Sequence, residues 1–303
     1  MNFIKKLRRQ KRNQLARAEA IQARARALSI QYQDFALNRT TPGTASNGPI
    51  PLVISLTTFS RRIDEVYLTI ESLFQQSHKA DRVVLWLSKE EFSPDDVPAI
   101  LRKQCQRGLQ IEFCEKNLGP YKKFFYTLQK YPDSLILTVD DDVIYPIDMV
   151  DKLYRAYCRQ PNVIHCHRAH QITFDASGRL LPYQEWELAP MDGKPSANVF
   201  PTGIGGVLYF PGCFDTEIVD ESTFMTLAPG ADDVWLKAMT LRKGVMSCKI
   251  VDQRDWWLRY VMIPGSQAVS LKHQNKRSQS GNDDKFKAVF DRYSLWPLLE
   301  KNT

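Results

Sequence analysis

The sequence predicts an α/β fold with a mainly parallel sheet, preceded by a basic N-terminal helix. Three observations support this prediction. Apolar runs rich in β-branched residues alternate with segments of helical spacing between residues 52 and 139. The 303-residue chain is 43% hydrophobic and 25% charged, which suits a globular protein and excludes disorder over the whole length. The longest apolar runs fall far short of the ~20 residues that a membrane helix needs, so no transmembrane helix is expected.

The predicted strands and helices follow one another in pairs. A strand at 52–58 leads into a helix on which Val66, Ile70 and Leu73 share one face. Further strands are predicted at 82–87, 111–114 and 134–139, with helices at 93–108 and 122–131 between them. Strands that alternate with helices in this way indicate a parallel sheet.

The second half of the sequence predicts an antiparallel addition to the sheet. Apolar segments at 163–174 and 180–186 flank Asp175–Gly178, which has the composition of a hairpin turn. A further helix is predicted at 231–241, because its apolar residues lie on one face and Gly244 follows it.

The positive charge is concentrated at the N-terminus. Residues 1–40 carry ten Lys or Arg against two acids, whereas the rest of the chain has a net charge of −1. Ile21, Leu28 and Tyr32 belong to a loose apolar stripe at helical spacing. Residues 1–38 are therefore predicted to form a basic amphipathic helix that binds an anionic membrane surface. A solvated helix and a nucleic-acid arm are the alternatives, although no nucleic-acid motif is present.

The composition of the chain also indicates its domain boundaries and its cellular location. The segment 39–50 is predicted to be a flexible linker, and 51–303 a single folded domain. The basic start continues without an apolar region, so no signal peptide is predicted. The six cysteines contain no C-x-x-C pair, which favours free thiols in a reducing compartment. We expect a cytoplasmic protein, peripheral at the inner face of the plasma membrane.

Three acids form the clearest chemical motif. Asp140, Asp141 and Asp142 directly follow the strand at 134–139, and open α/β sheets bind ligands at the carboxyl ends of their strands. Adjacent carboxylates favour Mg²⁺ or Mn²⁺, whose remaining positions are available to substrate phosphates. The alternative is an acidic turn that caps the next helix. His273, beside basic residues, is a candidate third ligand; as a lone histidine it is equally open to a structural or solvated role.

Five ordered segments carry a family resemblance: VISLTTFSRR, NLGPYKK, LTVDDDVIYP, GIGGVLYFP and GADDVW. Together they resemble bacterial nucleotide-sugar glycosyltransferases of the GT-A fold, a Rossmann-like α/β fold, over residues 51–260. Capsule and lipopolysaccharide biosynthetic enzymes are the nearest type, and the exostosin-like transferase domain is more distantly similar.

The resemblance implies roles for particular residues. Asp140–Asp142 match the D-x-D motif, with Asp142 and Asp140 implied as metal ligands and Asp140 and Asp141 near the donor. The other implied donor contacts are Ser55, Thr57, Arg61, Lys122, Lys123, Gly205 and Gly206. Arg62 is interpreted as a solvated neighbour of Arg61, and two solvated lysines at a helix start are the alternative for Lys122 and Lys123.

The resemblance also implies the reaction. Asp233, or in second place Asp232, would face the acceptor as catalytic carboxylate, although both acids also suit a helix N-terminus. The implied enzyme uses Mn²⁺ or Mg²⁺ to move a sugar from a nucleotide-diphosphate donor, a UDP-sugar, to a hydroxyl of a cell-envelope glycan or lipid-linked glycan. The alternatives are a catalytically silent nucleotide- or glycan-binding module and a sugar-nucleotide nucleotidyltransferase. A nucleotidyltransferase usually has a glycine-rich phosphate loop after its first strand, and TTFSRR is not one.

Overall fold

The computed structural model describes residues 2–46, 48–266 and 281–299. The described strands are β1 (Leu52–Thr57), β2 (Arg82–Ser88), β3 (Leu109–Cys114), β4 (Leu135–Thr138), β5 (Val143–Ile144), β6 (Ile164–Cys166), β7 (Ala169–Gln171), β8 (Val199–Pro201), β9 (Val207–Tyr209), β10 (Ser247–Lys249) and β11 (Val261–Met262). The described helices are α1 (Asn2–Asn38), α2 (Val66–Phe74), α3 (Ala99–Cys105), α4 (Lys122–Lys130), α5 (Met149–Arg159), α6 (Glu221–Leu227), α7 (Asp232–Arg242), α8 (Trp256–Arg259) and α9 (Asn282–Arg292).

The centre of the molecule is a seven-stranded sheet in the order β10-β6-β9-β4-β1-β2-β3. Strand β1 pairs in parallel with β2 and β4, and the pairs β2–β3 and β6–β10 are parallel as well. Strand β9 runs antiparallel to both β4 and β6. The predicted α/β class, with a mainly parallel sheet and an antiparallel addition, is therefore confirmed.

Helices cover both faces of this sheet, as a buried parallel sheet requires. Along β1, Leu52, Ile54 and Leu56 point into a core shared with α2, α3 and α5. The opposite face packs against α4, and beyond it lies a second core that includes residues of α6, α7 and α9. The alternation of side chains along a strand thus explains why almost every residue of β1 is buried.

Two local predictions are wrong in instructive ways. The helix predicted at 93–108 is divided: Ser93 and Asp96 form a capping box on a short turn, and α3 begins only after Pro98. The predicted hairpin around Asp175–Gly178 keeps its turn, but its two arms meet only at an isolated bridge between Phe174 and Leu180. The antiparallel strand that enters the central sheet is β9, which is preceded by glycines rather than by a hairpin.

The N-terminal helix lies partly on the domain. Ala25, Leu28 and Tyr32 pack in a cluster with residues of α2, β5 and β11, and Ala36 is fully buried. Apolar residues that were expected to face a membrane therefore contact the domain instead. The segment 39–50 contains no helix or strand among its described residues, yet it is not free: the Gly43 amide donates to the Arg107 carbonyl at 2.8 Å. No helix in the described part of the chain is long and apolar enough to cross a membrane.

Candidate active site

The acidic turn, Asp140–Asp142, leaves the sheet at the carboxyl end of β4, and its second and third residues are buried. Asp141 accepts hydrogen bonds from Thr58 Oγ1 and Arg62 Nη1, both at 2.6 Å. Burial raises the pKa of Asp141, and the Arg62 guanidinium and the Thr58 hydroxyl oppose that rise. Thr58 follows directly after β1, so the ends of two neighbouring parallel strands meet here.

Arg62 is the arginine that pairs with the acidic turn. Its guanidinium also lies 3.2 Å from the Asp142 carboxylate and donates to the Ser266 carbonyl at 3.0 Å. The Arg62 side chain is only 9% exposed, whereas Arg61 is exposed. The interpretation of Arg62 as a solvated residue is therefore wrong, whereas a contact between Arg61 and the donor stays a prediction.

The spacing of the sequence contains the signal that would have identified Arg62. It precedes Val66 by four residues and Thr69 by seven, so all three share one face if the helical course of α2 begins early. The Val66 amide does bond to the Arg62 carbonyl at 3.1 Å. Thr69 likewise donates its hydroxyl to the Asp141 and Val143 carbonyls, so this face of α2 supports the acidic turn.

Lys123 connects the acidic turn to α7. Its ammonium group lies 3.0 Å from Asp140 Oδ1 and 3.1 Å from Asp232 Oδ2, and its side chain is 6% exposed. Burial lowers the pKa of Lys123, but the carboxylates of Asp140, Asp232 and Asp233 outweigh burial and hold the pKa well above its usual value. Lys122 is equally buried and pairs with Glu91 at 4.0 Å. Neither lysine is a solvated residue at a helix start.

Gly203 brings a backbone segment against this ion pair. A Cβ at Gly203 would lie 2.8 Å from Asp140 Oδ1 and 3.2 Å from Lys123 Nζ. The position follows from topology: because β9 runs antiparallel to β4, residues that precede β9 lie at the carboxyl end of β4. The Gly203 amide donates to Asp233 Oδ2 at 3.3 Å, which also places α7 at this edge.

Asp232 and Asp233 occupy the first turn of α7 but have different surroundings. Asp232 is paired with Lys123, whereas Asp233 has burial and the neighbouring Asp232 charge to raise its pKa to about 8. A cavity of about 90 Å³ opens beside both acids, with Tyr183 and Asn282 in its lining. The less compensated carboxylate is therefore Asp233.

Three of the residues expected to contact the sugar donor lie away from the acidic turn, and the hydroxyl of a fourth is hydrogen-bonded within the sheet. Ser55 is completely buried, with its hydroxyl in a 2.7 Å hydrogen bond with that of Thr127, so it has no surface for a ligand. Gly206 packs against the core, where a Cβ would lie 3.3 Å from Leu137 and Met149. Its φ of 82° is a backbone conformation that favours glycine. Gly205 approaches Arg168 and Trp256 rather than the acidic turn. Thr57 is half-buried and donates its hydroxyl to the Trp86 carbonyl.

Few of the described side chains could ligate a metal ion. Within residues 2–46, 48–266 and 281–299, no group of three or more His, Cys, Asp or Glu side chains forms a metal cluster. His273, the expected third ligand, lies outside the described residues. Asp140 and Asp142 remain as hard oxygen donors, and the Asp140 side chain is 32% exposed. This set fits Mg²⁺ or Mn²⁺ of the kind held by one or two carboxylates with phosphate oxygens completing the shell.

Comparison with known proteins identifies the family. Residues 54–204, which contain most of β1, Arg62, Lys123 and the acidic turn, match the model of Glycosyl transferase family 2. The chain contains a glycosyl transferase family 2 domain. The fold of this family 2 domain is GT-A, as the resemblance implied, and no curated protein matches the chain significantly.

Solved structures similar to the family 2 domain and its flanking residues share little sequence with it. S. aureus TarS 1–349 in complex with UDP is 10% identical, with 67% of this chain and 59% of that chain covered and a TM-score of 0.43. The mannosyltransferase PcManGT from Pyrobaculum calidifontis, in complex with GDP-Man and Mn²⁺, is 14% identical over 91% of this chain and 81% of that chain, with a TM-score of 0.43. A 4-diphosphocytidyl-2C-methyl-D-erythritol synthase is 11% identical over 73% and 97%, with a TM-score of 0.41.

Proposed function

We propose that this protein is a metal-dependent glycosyltransferase that moves a sugar from a UDP-sugar to a hydroxyl group of a cell-envelope glycan of the capsule or lipopolysaccharide type. The class of reaction is that of its family 2 domain. The observation that carries the proposal is the convergence of Asp140, Asp232 and Asp233 around Lys123 at the carboxyl edge of the sheet. Ligands of open α/β sheets bind at this edge.

The charge balance of the site supports a divalent cation. Four carboxylates, those of the acidic turn with Asp232, face the directly paired cations Arg62 and Lys123, and Asp233 adds a fifth where it is ionised. Excess negative charge repels a diphosphate, and a divalent cation offsets that repulsion. We assign Asp142 and Asp140 as the ligands of Mn²⁺ or Mg²⁺, with His273 as a third. When bound, the metal stabilises the negative charge of the departing diphosphate.

Asp233 is proposed as the carboxylate that engages the acceptor hydroxyl. A general base works best when its pKa lies near the operating pH, and burial with the neighbouring Asp232 raises the pKa of Asp233 to about 8. Asp232 is less suited, because its charge is already shared with Lys123. The cavity beside Asp233 offers an apolar ring, Phe200, and polar groups on Tyr183 and Asn282 to an acceptor sugar.

Arg62 and Lys123 hold the carboxylates in position before any substrate binds. Arg62 fixes Asp141 and orients Asp142, and Lys123 keeps Asp140 and Asp232 from repelling each other. Their side chains are almost completely buried, so both cations act at low local dielectric. A preorganised site of this kind needs little rearrangement as charge develops on the leaving group.

The deciding experiment measures nucleotide release from a panel of UDP- and GDP-sugars in Mn²⁺, Mg²⁺ or EDTA. We expect release from one donor, dependent on the metal and lost in Asp142→Asn. The matched control is Asp133→Asn, which changes an exposed carboxylate just before β4, at the opposite edge of the sheet. The acceptor class is tested separately, by mass spectrometry of envelope glycan incubated with the identified donor.

Three outcomes contradict the proposal or a part of it. Nucleotide binding with no release, in the presence or absence of envelope glycan, would indicate a silent binding module. Pyrophosphate production from a nucleoside triphosphate and a sugar phosphate would indicate a nucleotidyltransferase. Release that is unaffected by EDTA and by Asp142→Asn would refute the assigned metal ligands.

A further inference from the structure

We propose that the exposed half of α1 and the short helix α8 together form a docking surface for a membrane of anionic phospholipid. The basic side chains come from residues 6–17 of α1, and the apolar contribution comes from Trp257 and Leu258 of α8. This surface is separate from the acidic turn and does not depend on the transfer reaction.

The two halves of α1 have different surroundings. Ala25, Leu28 and Tyr32 pack on the domain, so the apolar stripe of the second half is already covered. In the first half, the described side chains between residues 6 and 20 are all exposed. Among them are the cations Lys6, Arg8, Arg9, Lys11, Arg12 and Arg17, and no acid precedes Glu19. This concentrated positive charge complements an anionic lipid surface.

A single carboxylate connects this basic segment to α8. Asp255 accepts a hydrogen bond from Arg17 Nη2 at 2.7 Å. The same carboxylate accepts hydrogen bonds from the backbone amides of Trp257 and Leu258 as the N-cap of α8. The cap fixes the turn that carries the exposed apolar pair, and the ion pair places the basic helix beside it. Trp257 is 47% exposed and Leu258 is 38% exposed.

Ion pairs hold α8 on the domain from its other side. Asp148 and Asp252 each pair with both Arg254 and Arg259, at distances between 2.5 and 2.9 Å. Lys152 pairs with the same two acids, so this cluster has a net charge of only +1, and most of the charge available to lipid is that of α1. An apolar turn anchored in this way presents its side chains without having to be ordered on binding.

The exposed apolar residues in this region favour lipid over nucleic acid. Ile147 precedes Asp148 and Val251 precedes Asp252, and these aliphatic side chains are 61% and 50% exposed. Single-stranded nucleic acid is bound by aromatic stacking, to which aliphatic side chains add little. Tryptophan and aliphatic residues beside clustered lysine and arginine are instead typical of helices that lie on membranes.

The test is cosedimentation of the full chain with vesicles of phosphatidylcholine, with or without 30% phosphatidylglycerol. We expect binding only with phosphatidylglycerol, and weaker binding in high salt. Each cation near an anionic surface contributes roughly fivefold in partitioning, so Arg8→Gln, Arg9→Gln and Arg12→Gln together are expected to weaken binding about 100-fold. Trp257→Ala with Leu258→Ala is expected to weaken binding at least about 10-fold.

Matched controls remove the same charge and apolar area elsewhere. Arg179→Gln, Lys287→Gln and Lys116→Gln neutralise three exposed cations on other elements, and Val219→Ala with Met225→Ala truncates two exposed apolar residues. Neither control is expected to change binding, and circular dichroism verifies that all variants are folded. Unchanged binding in either test variant overturns the joint surface. Binding to RNA or duplex DNA at a salt concentration that abolishes vesicle binding overturns the assignment to lipid.

Discussion

Replacing Lys123 with methionine tests whether one buried ammonium group holds the site together. The ammonium group lies between Asp140 and Asp232, 3.0 Å from the first carboxylate and 3.1 Å from the second. Because the Lys123 side chain is only 6% exposed, water has little access to take its place. Removing one partner of a buried ion pair costs about 3 to 5 kcal/mol, because it leaves an uncompensated charge. Methionine keeps the length of the stem, and Asp140 is 32% exposed, so the lower figure applies. We expect Lys123→Met to lose about 3 kcal/mol of unfolding free energy at neutral pH.

The loss is expected to depend on pH with a definite sign. Without the ammonium group, the repulsion between Asp232 and Asp233 is uncompensated, and the folded-state pKa of Asp233, already raised by burial and by Asp232, rises further. Protonation then removes their repulsion, so the difference in stability from the native chain shrinks as the pH falls from 7.5 to 5. Urea unfolding followed by circular dichroism at both pH values measures this change.

The neighbouring lysine supplies the control. Lys122 is also buried, on the same helix turn, but it pairs only loosely with Glu91 at 4.0 Å, and burial lowers its pKa. Lys122→Met is therefore expected to cost about 1 kcal/mol, with little dependence on pH. In the Lys123→Met background, Asp232→Asn should recover about 1 to 2 kcal/mol. Equal losses in both single variants, or no recovery in the double variant, would refute the electrostatic explanation.

Three further predictions concern individual residues of the site. Arg62→Gln is expected to lower donor turnover at least about 10-fold, whereas Arg61→Gln, at an exposed position, should change stability by less than about 0.5 kcal/mol and leave turnover intact; equal kinetic effects would contradict this. Asp233→Asn is expected to lower turnover by about 10² to 10⁴. Because the folded-state pKa of Asp233 is raised to about 8, the native chain should lose stability as the pH rises from about 4 toward 8. The unfolding free energy, measured by urea unfolding at each pH, should fall less steeply with pH in Asp233→Asn. Gly203→Ala places a methyl group 2.8 Å from a carboxylate oxygen of the acidic turn and should reduce turnover. Gly281→Ala, whose added methyl group would have no atom of a described residue within 4 Å, serves as the control.

Buried strands were the most predictable part of this fold. The run Arg82–Leu87 is continuously apolar after its first residue, and the observed β2 extends it by one residue to Ser88. Such runs identify themselves because both faces of a parallel sheet exclude water. The antiparallel partner was less predictable: β9 has three residues, and its place between β4 and β6 depends on contacts across the sheet rather than on local pattern.

The site could be predicted where residues follow directly from strand ends, and not where side-chain direction depends on turns. Asp140–Asp142 extend β4, so their location required only the strand assignment. Arg61 and Arg62 differ by one position in a turn, and only the helical spacing from Arg62 to Thr69 distinguishes them. Ser55 lies two residues before the end of β1, where helix α4 still covers the strand, and the Ser55 hydroxyl is hydrogen-bonded to that of Thr127.

The arrangement of charges explains why a site of this kind is built from distant segments. Each carboxylate of the acidic turn has a cation from another element: Arg62, between β1 and α2, for Asp141 and Asp142, and Lys123, from α4, for Asp140. A cation on the same turn would satisfy the charge but would not connect the elements. Because the buried pairs join separate parts of the chain, the low dielectric that strengthens them also couples the geometry of the site to the packing of the sheet. Changes in the packing of α2 or α4 should therefore alter activity before they alter the fold.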